Sequence, residues 1–148
     1  MVTIYNNGEI NMDIWSKQKR SEVMSHIRSR DTKPELIIRS MLHKMGFRFR
    51  LHRRDLPGCP DIVLPKYKAI IFVHGCFWHL HDGCRDGTIP KTYQDKWKYK
   101  LERNVQRDKI HIERLQELGW NVLVIWECEI EKELDSIKNS ILKLLKNT

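Results

Sequence analysis

The order of predicted elements, two helices, three strands, a helix, a strand and a last helix, gives an α/β fold: a mixed four-stranded sheet flanked by helices. Three observations predict it. Short apolar or alternating stretches fall at 47–52, 61–64, 68–74 and 120–126. Helical spacing of apolar residues fills 33–45, 93–118 and 129–146. Turn residues punctuate the intervals between them. The chain has 148 residues, the size of one domain, and 41% of them are hydrophobic, enough for a packed core rather than a disordered chain. No internal repeat or low-complexity linker interrupts it.

Residues 1–13 carry no pattern, and 1–15 read as a flexible N-terminal tail before a single domain at 16–148. Ser16 can cap a helix to about Arg30, with Val23, Met24 and Ile27 as its apolar positions. Asp31 and Thr32 break and recap the chain. Pro34 suits a first helical turn and Gly46 a stop, with Ile37, Ile38, Met41, Leu42 and Met45 making the apolar face between them. Phe47 to His52 alternates with period two, as a half-buried strand does. Leu56 to Pro60 is a turn, and Pro65 to Tyr67 joins two further strands as a hairpin. The unbroken run Ala69–Val73 predicts a central strand covered on both faces. Residues 75–92 form a long loop, which in a compact domain is functional or tied down. Gly119 ends the helix that follows.

Lys and Arg outnumber Asp and Glu by 27 to 19, a net charge of +8. Such a surplus either serves solubility or faces a polyanion, most often nucleic acid. The N-terminus lacks a basic segment followed by an apolar stretch. The longest apolar run is far short of the roughly 20 residues of a membrane span. A cytoplasmic protein with no membrane partner is expected. Four cysteines in a reducing compartment then point to metal or catalysis rather than disulfides.

Three features carry chemistry. The helix 93–118 places Trp97, Leu101, Val105, Ile112 and Leu115 on one face, with Asp108 at its centre. A lone carboxylate there costs several kcal/mol unless paired. It forms a structural ion pair with a core Arg or His, or it supports a catalytic or metal-binding group. The loop holds Cys76, His79, His81 and Cys84, and Cys128 follows the fourth strand. Three thiolates and one imidazole match a closed tetrahedral zinc site. Spacing leaves His79 and His81 as alternative ligands, and the plainer reading is free cysteines with surface histidines. Finally, a hairpin pivoting near Lys66 and Tyr67 sets Asp61 opposite Phe72, so Asp61 and His74 project together. Pro60-Asp61 on one strand with a polar residue on its partner is similar to a PD-(D/E)xK nuclease core. The second acid and the lysine are missing, since Phe72, Val73 and His74 stand in their place.

These residues together resemble the very short patch repair (Vsr) DNA mismatch endonucleases. The matching stretches run from Arg20-Ser21, Met24 and Arg30-Asp31-Thr32 with Glu35, through Leu56 to Asp61 and Ile71 to His79. They continue with Lys100, Asn104-Val105, Arg107-Asp108, Leu115 to Trp120 and Ile125 to Cys128. They cover roughly 16–130 in order. The segment after His79, with Leu80, Asp82 and Gly83, departs from the family's all-histidine run, which is one residue shorter. The tail before Trp15 has no counterpart.

The resemblance implies a PD-(D/E)xK restriction-endonuclease-like core with a structural Zn²⁺ on Cys76, His81, Cys84 and Cys128. It implies Mg²⁺-dependent nicking of duplex DNA 5′ of the thymine in a T:G mismatch left by 5-methylcytosine deamination. Asp61 would hold Mg²⁺ with the Val73 carbonyl, hard oxygen donors as that ion requires. His79 would be the general base, since histidine ordinarily titrates near neutrality. Asp108 would orient His79, His74 would stabilise phosphate charge, and Glu35 would support a water on the ion. Phe77 and Trp78, elsewhere read as core, would wedge into the base stack, with Met24 entering from the opposite groove. Arg20, Arg28, Arg30, Lys91, Lys96 and Lys100 are candidate phosphate contacts, or solvated surface. The implied partners are mismatched double-stranded DNA, a cytosine-5 DNA methyltransferase as functional companion, and mismatch-repair proteins, acting on a monomer in the nucleoid. Competing readings are a restriction-type nuclease without mismatch preference, a non-catalytic zinc DNA-binding module, and a zinc protein whose basic charge is incidental.

Overall fold

The computed structural model describes residues 31–146. The expected tail and first helix, with Arg20, Met24, Arg28 and Arg30, lie outside the described residues. Helix α1 is Lys33–Lys44. Thr32 caps it by accepting from the Glu35 amide, and Glu35 Oε2 reaches back to the Asp31 amide, a reciprocal N-terminal box. Gly46, at φ +86°, closes the other end: the Phe47 amide bonds the Leu42 carbonyl and the Gly46 amide that of His43.

Strands β1 (Arg50–Leu51), β2 (Ile62–Leu64), β3 (Ala69–His74) and β4 (Asn121–Trp126) lie side by side in that order. β1–β2 and β2–β3 are antiparallel, and β3–β4 is parallel. A 3₁₀ turn at Pro65–Tyr67 closes the β2–β3 hairpin at the expected pivot. Helix α2 (Gln94–Glu117) follows the long loop, and α3 (Glu127–Lys132) and α4 (Leu134–Lys146) end the chain.

β3 is central and covered on both faces, as its apolar run predicts. On one face Ala69 and Ile71 join Ile38 and Leu42 of α1, Ile130 of α3 and Ile137, Ile141 and Leu145 of α4. On the other, Ile70 and Phe72 meet Leu115 of α2 and Trp120. The period of two thus assigns β3 residues alternately to two cores.

Two expectations are corrected. The strand 47–52 pairs only at Arg50 and Leu51, because His52 turns left-handed at φ +46°; Phe47 and Phe49 still pack on the first core. The last helix is two helices, broken at Glu133, whose φ −138° and ψ 53° are not helical. Among the described residues no helix is long and apolar enough to cross a membrane.

Fully buried Ile71 and half-exposed Ile110 test this layering. Ile71→Ala is expected to cost about 2–5 kcal/mol, and Ile110→Ala no more than about 0.5 kcal/mol, read from urea midpoints at constant slope.

Candidate active site and metal-ligand cluster

The parallel strands β3 and β4 end together, with His74 and Trp126 as register partners. In open α/β sheets the crevice beyond such carboxyl ends is where ligands bind. Asp61, just before β2, comes to the same place. The β2–β3 register extends to set it opposite Phe72, and its Oδ2 accepts a 2.9 Å hydrogen bond from the Val73 amide. The turn that delivers it is held against α2. Gly58 sits at φ +77°, and a side chain there would fall 3.0 Å from His111 Cβ.

Burial dominates the electrostatics of Asp61. Desolvation pushes its pKa up to about 7, Glu35 adds to this, and the Val73 amide, His79 and Arg39 oppose it. The side chain is half-buried, 17% exposed, and a nearby cation would favour its ionised form.

His74 and His79 stack face to face, ring centroids 3.8 Å apart and planes 4° apart. His79 Nδ1 is hydrogen-bonded to Asp108 Oδ2. That bond places a proton on Nδ1 and leaves Nε2 as the basic nitrogen. His74 is buried, and desolvation, then the neighbouring His79, push its pKa down to about 3 against the pull of Asp108. It is a neutral imidazole. The core-face carboxylate of α2 therefore meets a loop histidine. The expected stripe shifts slightly: Val105 is exposed, and Asn104 turns inward to donate to the Trp78 carbonyl at 3.2 Å.

Cys76, His81, Cys84 and Cys128 converge, their ligand atoms all within 4.8 Å of one another. His81 Nδ1 lies 3.6 Å from Cys76 Sγ and 3.4 Å from Cys128 Sγ. A tetrahedron with zinc–sulfur and zinc–nitrogen bonds has edges of roughly 3.5–3.8 Å, so the four donors fit that ion. His81 rather than His79 belongs to this group. Burial pushes the thiols of Cys76 and Cys128 up, and a bound cation is what would favour the thiolates. Close packing shapes the loop: a side chain at Gly87 would lie 2.3 Å from the His81 carbonyl oxygen.

The sequence profile described as DNA mismatch endonuclease Vsr matches residues 12–85. A type II nicking enzyme of Xanthomonas oryzae pv. oryzae, V.XorIIP, is 50% identical over 118 residues, covering 80% of this chain and 86% of that one. The DNA mismatch endonuclease Vsr of Escherichia coli K12 is 45% identical over 118 residues, covering 80% and 75%. The type II nicking enzyme V.NmeAIP of Neisseria meningitidis serogroup A is 45% identical over 121 residues, covering 82% and 86%. The chain belongs to the Vsr family. It is a DNA endonuclease with an α/β nuclease fold.

Further parts of this Vsr chain surround the crevice. Phe77 is buried with Leu101, while Trp78 and Trp97 are half-buried beside it, ring centroids 5.1 and 5.3 Å from Phe77. Lys100 Nζ lies 5.3 and 5.8 Å from the Trp78 and Trp97 rings. Lys91 and Lys96 are exposed nearby in sequence. Glu35 is buried on α1, one oxygen engaged by the Asp31 amide and by Arg39.

Sequence reasoning missed three residues. Trp126 stacks on His81 at 4.1 Å and turns its edge to His74 at 5.3 Å, a wall between the sulfur cluster and the histidine pair. Its register with His74 follows from aligning the two apolar strands. Arg39 bonds Glu35 four residues earlier on α1, a visible helical spacing. His52 lies across β1–β2 from Asp61, its amide donating to the Asp61 carbonyl at 3.3 Å.

The raised pKa of Asp61 has a thermodynamic signature. The folded protein holds this proton more tightly than the unfolded chain, so without added Mg²⁺ this carboxyl stabilises the fold below about pH 4, and that contribution is lost as pH rises through about 7. Asp61→Asn removes the ionisation. The variant is expected to exceed the parent in stability at pH 8, by at most a few kcal/mol, and to match it near pH 4, in urea melts with zinc present. Equal curves at both pH values would show an ordinary carboxyl.

Proposed function

We propose that this chain nicks duplex DNA on the 5′ side of the thymine in a T:G mismatch, the product of 5-methylcytosine deamination, and so begins very short patch repair. The observation that carries this reading is the His79–Asp108 pair stacked on His74 beside half-buried Asp61. One base, its orienting carboxylate, a neutral donor and an oxygen ligand are the parts that phosphodiester hydrolysis needs.

Asp61 and the Val73 carbonyl would hold Mg²⁺, and the poorly compensated Asp61 carboxylate fits a hard cation. One or two such ions supply charge neutralisation and Lewis-acid activation at the scissile phosphate. His79 Nε2 takes the proton of the attacking water, and Asp108 holds Nδ1–H and steadies the imidazolium that results. His74, being neutral, steadies phosphate oxygen by donating a hydrogen bond rather than by charge. Glu35, on α1, would support a water at the ion. Cys76, His81, Cys84 and Cys128 hold structural Zn²⁺, tying the loop that carries His79 to the end of β4.

Of the expected wedge of Phe77 and Trp78, Trp78 would lead, because Phe77 is buried against Leu101, with Met24 entering from the opposite groove. Unstacking costs a few kcal/mol, less at a mismatch, which favours mismatched sites. Lys91, Lys96 and Lys100, with Arg20, Arg28 and Arg30, would contact phosphates. The protein works as a monomer on an asymmetric lesion in the nucleoid. Its companion is a cytosine-5 DNA methyltransferase whose site sets the flanking bases, and mismatch-repair proteins are its further partners.

The test is cleavage of labelled duplexes with randomised flanks, T:G against T:A. Mg²⁺-dependent scission of one strand 5′ of the mismatched thymine is expected, abolished by Asp61→Ala and reduced about 10²–10⁴-fold by His79→Ala. Equal cutting of T:A would make the protein a restriction-type nuclease. Binding without cutting would leave a DNA-binding module.

Elemental analysis should find one zinc per chain. Cys128→Ser is expected to lose it together with much of the stability of the loop. Full retention of metal in that variant would remove Cys128 from the ligand set.

A further inference from the structure

We propose that Arg39 and His52 are a positioning pair for Asp61: Arg39 selects the tautomer of His52, and His52 presents Nδ1–H to the carboxylate. The inference rests on the reading of Asp61 as the carboxylate that holds the divalent cation.

The geometry begins with a crowded arginine. Arg39 Nη2 lies 2.7 Å from Asp31 Oδ1, 3.0 Å from Glu35 Oε2 and 2.9 Å from His52 Nε2. Among the described residues its Nε has no hydrogen-bond acceptor, so the guanidinium is gripped through Nη2. Arginine only donates. Nη2 has two hydrogens for three neighbours, so they share them; an unprotonated His52 Nε2 can join that sharing, whereas a proton on Nε2 would confront the arginine N–H at 2.9 Å, with the Asp31 and Glu35 oxygens further off at 3.6 Å. The remaining proton sits on Nδ1. That atom lies 4.0 Å from Asp61 Oδ1, while the other oxygen, Oδ2, is held by the Val73 amide. Oδ2 of Asp61 is thus hydrogen-bonded from β3, while His52, just past β1, turns Nδ1 towards Oδ1 at 4.0 Å, an electrostatic contact longer than a hydrogen bond.

The backbone explains why His52 can do this. It faces Asp61 across the β1–β2 ladder, and its left-handed φ of +46° ends the strand and carries the ring to Arg39 on α1. The pair also accounts for the cluster behind it. Asp31, Glu35 and His52 bring ligand atoms within 4.8 Å of one another, yet the Arg39 guanidinium already supplies the positive charge there. A divalent cation is left to Asp61. Partners that orient a metal-binding carboxylate set its affinity by roughly 10–100-fold.

Two measurements test the pair. Long-range ¹H–¹⁵N correlation spectra at pH 8 should show His52 protonated on Nδ1 in the parent. In Arg39→Met it should revert to the Nε2–H form that an unconstrained imidazole favours. Binding of Mn²⁺ to the zinc-saturated protein, read by electron paramagnetic resonance, should weaken roughly tenfold in His52→Phe. His52→Asn, which keeps a donor at the δ position, should stay near the parent, and His52→Gln, whose donor sits one bond further out, should follow the phenylalanine variant. A role confined to stability would instead lower the melting temperature of Asn and Gln variants alike and leave Mn²⁺ affinity unchanged. Parental affinity in both His52→Phe and His52→Gln, or an Nε2–H tautomer in the parent, would overturn the proposal. If His52→Phe does not fold, the contrast between Asn and Gln decides. Asp61→Ala separates the two levels: undiminished Mn²⁺ binding there would remove the cation from Asp61 and the proposal with it, whatever the tautomer.

Discussion

The register of β3 between its two neighbours is the constraint on which the site depends. Pairing with β2 places Asp61 opposite Phe72, and pairing with β4 places Trp126 beside His74. A slip of one residue would turn every side chain to the other face. It would bury Ile71 and Ala69 against α2 and direct His74 towards α1 and α4. Because β3 is buried on both faces, the apolar pattern of two separate cores resists such a slip. The precision of the site is thus inherited from hydrophobic packing some distance from the chemistry.

The two helices that bracket the sheet add the remaining groups by different means. α2 contributes Asp108 and Asn104 from its inward stripe, one to the His79 ring and one to the Trp78 carbonyl, so a single helix face fixes two points of the same loop. Its C-terminus ends at Gly119, φ +89°, with the Trp120 amide on the Leu115 carbonyl, which sends the chain directly into β4. α1 contributes Glu35 and Arg39, and its N-terminal box serves twice. The same Glu35 oxygen that satisfies a backbone amide also anchors the arginine. Stability of the helix end and arrangement of the site are carried by one side chain.

Much of this was readable from the residues, and the exceptions have definable causes. The central strand follows from an unbroken apolar run, and the hairpin pivot from Pro65. The pairing of Asp108 with a loop histidine follows from the cost of a carboxylate on an apolar face. The sulfur cluster was legible as composition, but spacing alone left His79 and His81 equivalent; the Asp108 bond to one and the ring stacking of Trp126 on the other separate them. What escaped depends on backbone conformations that side-chain patterns do not encode. His52 and Cys59 both adopt φ +46°, a region that non-glycine residues enter rarely. The alternating pattern of 47–52 therefore overstated the strand and concealed the turn that brings His52 to Arg39. The break at Glu133 is of the same kind, since the residues around it suit a continuous helix.

The proposed function would also require two metal chemistries to be kept apart. Three groups of donors among the described residues are close enough to bind a cation: the cysteines with His81, the pair His74 and His79 with Asp108, and Asp31 and Glu35 with His52. Two of them carry their positive charge or proton internally. Arg39 fills the acidic group, and the Nδ1 proton of His79 occupies Asp108, so a metal there would have to displace a hydrogen-bonded partner. The sulfur-rich group has only weak internal contacts of this kind, His81 Nδ1 on the sulfurs of Cys76 and Cys128, and its thiols, raised by burial, gain most from a soft-accepting cation. Asp61, an oxygen donor in a separate place, suits a hard one. Trp126 stands between the sulfur group and the histidines. On the proposed function, discrimination between zinc and magnesium would follow from donor type, and the Asp108 bond to His79 would keep zinc from the histidine pair.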